Sequence, residues 1–133
     1  MIMELFAAEA LSDVPSGNRF RRPILHNDHI RCYNLLFPAG ETVEEHAHLR
    51  SDEVFLFRSG RARIFIRTSL DAPSVLAATV KAGDVVLLAA GEYHTLVVDD
   101  GPLEVLAIVT PNLDDNVTAR GDGVPFGVPY QII

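Results

Sequence analysis

The sequence has almost no cysteine, lysine or tryptophan, and it has no long apolar run. Its 133 residues include one cysteine, Cys32, and no tryptophan. A lone cysteine excludes an internal disulfide, and the absence of a C-x-x-C pair argues against thiol redox chemistry. No apolar stretch approaches the roughly 20 residues of a membrane-spanning helix, and the N-terminal residues lack the pattern of a signal peptide. We therefore expect a cytoplasmic protein without a membrane partner.

Positive charge is also scarce. The chain has 18 acidic and 11 basic residues, which gives a formal net charge of -7. Nucleic acids attract proteins with an excess of lysine and arginine, so this balance argues against a nucleic-acid partner. The apolar content of 48% is ample for a hydrophobic core and excludes disorder of the whole chain. A chain of this length is expected to form one domain, residues 1–133.

Short apolar segments punctuated by glycine, proline and aspartate dominate the chain after residue 30. Runs rich in Val, Ile, Leu and Phe with period-two alternation are typical of strands, and no long helical pattern follows residue 20. Strands are predicted at 30–37, 54–57, 61–67, 75–80, 85–88, 94–98 and 103–109. This pattern predicts an all-β fold, an antiparallel barrel or sandwich. Its core spans about 30–110, between an N-terminal arm at 1–22 and a C-terminal arm at 111–133.

Two histidines and a glutamate stand close together in the segment 40–60. His46 and His48 are one residue apart, and Glu53 follows after four more residues. Alternate side chains of a strand share a face, so the two imidazoles would point the same way. His94 follows a second glycine-bounded segment, and a small barrel could bring it opposite the first three. Imidazoles and a carboxylate are typical ligands of a divalent transition metal.

The first of these segments resembles the first sequence motif of the cupin superfamily. That motif has a glycine, five residues, His-x-His, three or four residues, a glutamate, six residues and a glycine. This chain fits the motif at every defined position, with Gly40, His46, His48, Glu53 and Gly60.

The second segment resembles the second cupin motif, in which a glycine and a Pro-x-Gly turn precede a histidine and an asparagine. Gly83, Gly91 and His94 fit this motif, whereas Ala89 replaces the proline and Val98 replaces the asparagine. These departures affect a turn and the strand after it, and they leave the ligand set intact. The joint spacing of both motifs is far more specific than a single His-x-His.

The resemblance implies a jelly-roll barrel, or double-stranded β-helix, that holds one divalent transition metal (Fe, Mn, Ni, Co or Zn). The implied ligands are His46, His48, Glu53 and His94, which leave positions open for a small-molecule substrate. Dioxygenase-type oxidation is the activity that such a resemblance most commonly suggests. A non-oxidative lyase, decarboxylase or isomerase and a non-catalytic ligand-binding module are the alternatives.

Four apolar side chains are expected on the same strand faces as the metal ligands. Phe55 and Phe57 follow Glu53 by period two, and Leu96 and Val98 follow His94 in the same way. We predict that these four wall the substrate pocket, although ordinary core packing is compatible with the same pattern.

Three arginines share one face of the strand at 61–67. If that face lines the barrel, Arg61, Arg63 and Arg67 bind an anionic substrate. If it faces solvent, they coat the sheet and discourage edge pairing. The residues between them are apolar, which favours the outward orientation.

Two further features concern the site and the assembly. Tyr93 stands next to His94 and is a candidate for a hydroxyl near the metal, although alternation directs it outward. The strand at 30–37 is apolar on both faces, so its inward face cannot be decided from alternation. A sheet that is apolar on both faces predicts packing against a second subunit, in a homodimer.

Overall fold

The computed structural model describes residues 3, 5 and 19–119 and the backbone of residues 131–132. In this part of the chain there are nine strands and no helix, hence no helix that could cross a membrane. The strands are β1 Phe20–His26, β2 Arg31–Phe37, β3 His46–His48, β4 Asp52–Arg67, β5 Val75–Lys81, β6 Val85–Leu88, β7 Tyr93–Thr110, β8 Asn116–Thr118 and β9 Gln131–Ile132. The sheet therefore extends beyond 30–110, since β1 precedes that range and β8 follows it.

Two long strands, β4 and β7, form the frame of the barrel. They pair antiparallel from Asp52 opposite Thr110 to Arg67 opposite Tyr93. The sheet order is β5-β4-β7-β2-β1-β9, while β6 also pairs with β4, β3 with β7, and β8 with β3. Because each long strand has different partners along its two halves, the sheet curls on itself. The predicted all-β antiparallel barrel is confirmed.

The breaks between the predicted strands at residues 58–60 and 99–102 are wrong, because the chain stays in a strand at both places. The β4–β7 register shifts between Phe57 and Ala62, and Gly60 adopts φ +83°. Such irregularities bend a strand and increase its twist without ending the pairing. The predicted strands 54–57 and 61–67 are thus one bent strand, β4, and 94–98 and 103–109 are both parts of β7.

The core fills the space between the walls of the barrel. On β2 the residues Tyr33, Leu35 and Phe37 belong to the main core cluster. Leu36 points to the other side, where it forms a small separate cluster with Phe20. The inward face of β2 is therefore the one that carries Tyr33, Leu35 and Phe37.

Three arginines of β4, namely Arg61, Arg63 and Arg67, lie on the outer face of the sheet. Ile64, one residue beyond Arg63, is 1% exposed and points into the core. Arg63 therefore points outward, where it makes a bidentate pair with Asp99, with both N–O distances at 3.0 Å. Arg67 pairs with Glu45 in the same outer layer. These arginines do not line the space inside the barrel.

Candidate metal centre

The four predicted ligands converge at one end of the barrel. His46 and His48 make up the two ends of β3, Glu53 lies at the start of β4, and His94 lies at the start of β7. His46 is directly opposite His94 in the β3–β7 ladder. One donor atom from each of the four residues lies within 4.8 Å of the others, and each residue is only 3% or 4% exposed.

Two backbone contacts fix the two motifs against each other. The amide of Gly91 donates to the carbonyl of His48 at 2.8 Å, and the amide of Ala90 donates to Asp52 Oδ1 at 2.8 Å. Gly91 has φ +83°, a conformation that favours glycine over residues with a Cβ. The turn before β7 is thereby held against β3, which sets the position of His94 relative to His48.

Several donor atoms of the site are buried without a hydrogen-bond partner. Glu53 Oε1 lies 3.2 Å from His48 Nε2 and 3.6 Å from His94 Nε2. Neither Glu53 Oε1 nor His94 Nε2 makes a hydrogen bond among the described residues. A buried polar atom left without a partner costs about 1–3 kcal/mol. A divalent cation would satisfy these atoms, so the residues present fit a metal ion.

Burial favours the neutral form of two of the imidazoles, His46 and His94. Burial, and then the neighbouring His46 and His48, hold the pKa of His94 well below its ordinary value. Burial lowers the pKa of His46 as well, although the charge of Glu53 acts in the opposite direction. Only a neutral imidazole can bind a metal. His46 and His94 are therefore in the protonation state that ligation requires at neutral pH.

The Nδ1 atoms of the two β3 histidines each face an oxygen atom of another residue. His46 Nδ1 lies 2.9 Å from the carbonyl oxygen of Glu44, which can only accept a hydrogen bond, so Nδ1 carries the proton. His48 Nδ1 lies 3.8 Å from Asp115 Oδ1. In His46 this leaves Nε2 for a metal, whereas His48 Nδ1 and Asp115 Oδ1 have no hydrogen-bond partner among the described residues. Carboxylates and carbonyls commonly orient metal-binding histidines in this way.

Asp115 is a residue of the site that the sequence did not indicate. It lies between β7 and β8, within the predicted C-terminal arm, where no motif spacing points to it. Its Oδ2 accepts a hydrogen bond from the amide of Arg50 at 2.6 Å, and its carbonyl accepts one from the amide of Leu49 at 3.2 Å. The carboxylate is thus held beside His48 by the two residues that follow this histidine.

Replacing Asp115 with asparagine should weaken metal binding about 10-fold or more, the usual effect of removing a group that orients a metal ligand. Asparagine keeps an oxygen for the Arg50 amide but loses the negative charge that faces His48 Nδ1. Competition of the metal-loaded protein against a chromophoric chelator measures the dissociation constant.

The matched control for this variant is Asp84→Asn. Asp84 Oδ2 accepts a hydrogen bond from the Lys81 amide at 2.9 Å, so it also braces a turn, but it does not contact a histidine. Equal metal affinities of the two variants would show that Asp115 only stabilises its loop.

A small apolar cavity of about 20 Å³ adjoins the donor atoms. Besides His46, Glu53 and His94, its lining consists of Tyr33, Leu35, Phe37, Val43, Phe55 and Leu96. Phe55 and Leu96 are thus two of the four predicted wall residues. The other two, Phe57 and Val98, are each 1% exposed and pack in the core without lining the cavity. Tyr93 is paired with Arg67 in the ladder and does not line the cavity either.

Tyr33 is the one phenol side chain among the described residues that line this cavity. Burial, and then the charge of Glu53, raise the pKa of Tyr33, while Arg31 and Arg21 act in the opposite direction. The phenol therefore stays protonated at neutral pH, where it can donate a hydrogen bond but cannot act as a base. The sequence could not identify Tyr33, because both faces of β2 are largely apolar.

Comparisons with known proteins bear on the fold. No protein-family model and no curated protein matches this sequence. An uncharacterized conserved protein with a double-stranded β-helix domain from Klebsiella pneumoniae has a TM-score of 0.67 at 17% identity, over 88% of this chain and 97% of that one. Oxalate oxidase in complex with the substrate analogue glycolate has a TM-score of 0.65 at 17% identity, over 85% of this chain and 62% of that one.

A third neighbour carries the family description that the sequence motifs suggested. A cupin superfamily protein from Desulfitobacterium hafniense has a TM-score of 0.59 at 20% identity, over 75% of this chain and 84% of that one. At such identities these likenesses show the fold. The resemblance read from the two motifs is confirmed at that level: this chain has the cupin fold, a double-stranded β-helix.

Proposed function

We propose that this protein is a metal-dependent enzyme of dioxygenase type that oxidises a small organic molecule in the cavity beside the four ligands. The observation that carries the proposal is the convergence of three buried imidazoles and one carboxylate beside a small apolar space. A divalent metal in such a ligand set supplies a Lewis acid and, if it is redox-active, one-electron chemistry. Fe, Mn, Ni, Co and Zn all suit the ligands.

The residues around the ligands exclude water and orient the substrate. Phe37, Phe55 and Leu96 give the cavity an apolar wall, and an environment of low polarity strengthens electrostatic interactions. We propose that Tyr33, which lines the cavity, donates a hydrogen bond to a substrate oxygen. Because its raised pKa keeps the phenol protonated at neutral pH, Tyr33 cannot accept a proton, and no other acid or base outside the ligand set lines the cavity among the described residues. This favours chemistry at the metal over proton abstraction by the protein.

The structural likeness to oxalate oxidase supports the same proposal. That protein binds the substrate analogue glycolate, so an oxidase of a small organic acid is compatible with this fold. Since fold does not determine function, the ligand geometry and the cavity carry the proposal and the likeness is secondary.

A non-oxidative lyase, decarboxylase or isomerase is the second candidate, and Tyr33 is the observation that favours it. A protonated phenol next to the ligands could deliver a proton to a leaving group or to a carbanion. In that case the reaction would need a metal and Tyr33 but no dioxygen.

Oxygen uptake by the Fe(II)-loaded protein distinguishes these candidates. Catechols, diketones, thiols and small hydroxy acids would be tested in an oxygen electrode, with product formation followed in parallel without oxygen. The proposal predicts oxygen consumption that matches product formation. Equal product formation without oxygen would favour the second candidate, and binding without any product would indicate a non-catalytic ligand-binding module.

A further inference from the structure

A second cleft lies next to the metal cavity, beside the β1–β2 hairpin. Its volume is about 210 Å³, and Arg21, His26, Arg31 and Asn112 line it together with Tyr33. Because Tyr33 also lines the metal cavity, one phenol side chain stands between the two spaces. The alternation of β2 places Arg31 on the same face of the sheet as Tyr33.

This cleft is cationic although the protein carries a net charge of -7. Arg21 and Arg31 are both half-buried, and no carboxylate is among the described residues that line the cleft. The guanidinium of Arg21 lies 5.6 Å from the ring centroid of Tyr33. A divalent metal held by the four ligands would add positive charge to the cavity that Tyr33 also lines. Both spaces therefore favour a negatively charged ligand.

Arg31 differs from most arginines of the described chain in having no acidic partner. Five arginines between residues 19 and 119 pair with a carboxylate: Arg19 with Glu41, Arg58 with Glu104, Arg61 with Asp100, Arg63 with Asp99 and Arg67 with Glu45. Arg31 instead donates through Nη1 to Asn112 Oδ1 at 3.3 Å and to the carbonyl of Leu113 at 3.4 Å. These acceptors hold the guanidinium in place without neutralising it.

We propose that this cleft binds an anionic group of the substrate, a carboxylate or a phosphate, through Arg31 and Arg21, while the reacting end of the same molecule lies in the metal cavity. This inference rests on the proposed function, and it narrows the substrate to a small organic acid with an anionic group besides the one at the metal. The planar guanidinium suits both carboxylate and phosphate oxygens. Tyr33 lies between the two ends of such a molecule.

Titration calorimetry with two probes, succinate and inorganic phosphate, tests the cleft directly. Wild-type protein should bind at least one of them at low ionic strength, and more weakly as salt is added. The tighter of the two identifies the anionic group. Arg31→Gln should weaken binding about 10- to 100-fold, as expected for a lost charge-assisted hydrogen bond, and Arg31→Lys should weaken it less. Arg63→Gln is the matched control on the outer face and should bind like wild type.

The metal-free protein separates this inference from the proposed function. None of the cleft residues is a metal ligand, so anion binding should persist, and remain sensitive to Arg31→Gln, after the metal is removed. An absence of turnover with retained anion binding would count against the proposed function alone. Failure of wild-type protein to bind either probe, or equal binding by wild type and Arg31→Gln, would overturn the inference.

The folding of the variants is checked by their melting temperatures, since Arg31→Gln loses the contacts to Asn112 and Leu113. If that variant does not fold, Arg21→Gln provides the same test, with a weakened anion affinity expected. Unchanged affinity in folded Arg21→Gln would then overturn the inference.

Discussion

Replacing His94 with alanine is expected to abolish stoichiometric metal binding. His94 is the only ligand from β7, and it closes the site opposite His46. Removal of a group that merely orients a ligand weakens metal binding 10- to 100-fold, so loss of the ligand itself should exceed about 100-fold. Elemental analysis after metal loading and gel filtration should give close to one equivalent per chain for wild type and a small fraction of that for the variant.

The same variant should lose the stabilisation that the metal provides. Free metal at 1,000 times its dissociation constant stabilises a folded protein by about 4 kcal/mol, which corresponds to a rise of many degrees in melting temperature. His94→Ala should show little of this rise. His29→Ala is the matched control, because the described hydrogen bonds of His29 use its backbone. Full metal content in His94→Ala would contradict the four-ligand site.

The second large effect is expected from Gly60→Ala, which should destabilise the fold by about 3 kcal/mol or more. Gly60 has φ +83°, and an added Cβ would lie 2.6 Å from the carbonyl oxygen of Asp100 and 2.8 Å from that of Pro102. These contacts are with the backbone of β7, the partner strand, which cannot yield as a flexible side chain can. Urea unfolding of the metal-free protein measures the change in free energy.

Gly83→Ala is the matched control for the backbone conformation. Gly83 also has a positive φ, +93°, but no atom lies within 4 Å of the Cβ position. Its substitution should cost only the conformational strain, about 1 kcal/mol. Similar losses in the two variants would show that the approach of β7 at Gly60 is unimportant.

Much of the fold and the set of possible ligands were predictable because both depend on local patterns. Alternation and turn residues identify strands such as β2 and β6. The His-x-His spacing places His46 and His48 on one face wherever that strand lies. The glycines of the two motifs mark places where the backbone needs positive φ, and Gly40, Gly60, Gly83 and Gly91 all have it.

The remaining features depend on distant contacts that alternation does not encode. Phe55 and Phe57 lie on the same face of β4, and only their positions along the strand decide which side chain reaches the cavity. Tyr33 could not be identified while the inward face of β2 was undecided. Asp115 reaches His48 because β8 pairs with β3, and no local signal marks that pairing. Gly60 does not end β4, because β7 pairs with β4 both before and after this residue.

The pairing of β7 with early strands also orders the events of folding. Arg31 lies opposite Val109, His46 opposite His94, and His48 opposite Asn116. Pairings between residues so far apart in the chain form slowly, because long loops must close before any contact is gained. During synthesis, a chain that has only reached Glu53 carries three ligands but no partner strand to hold them. A metal ion can therefore meet all four ligands only once the chain has reached the start of β7, after six strands have been made.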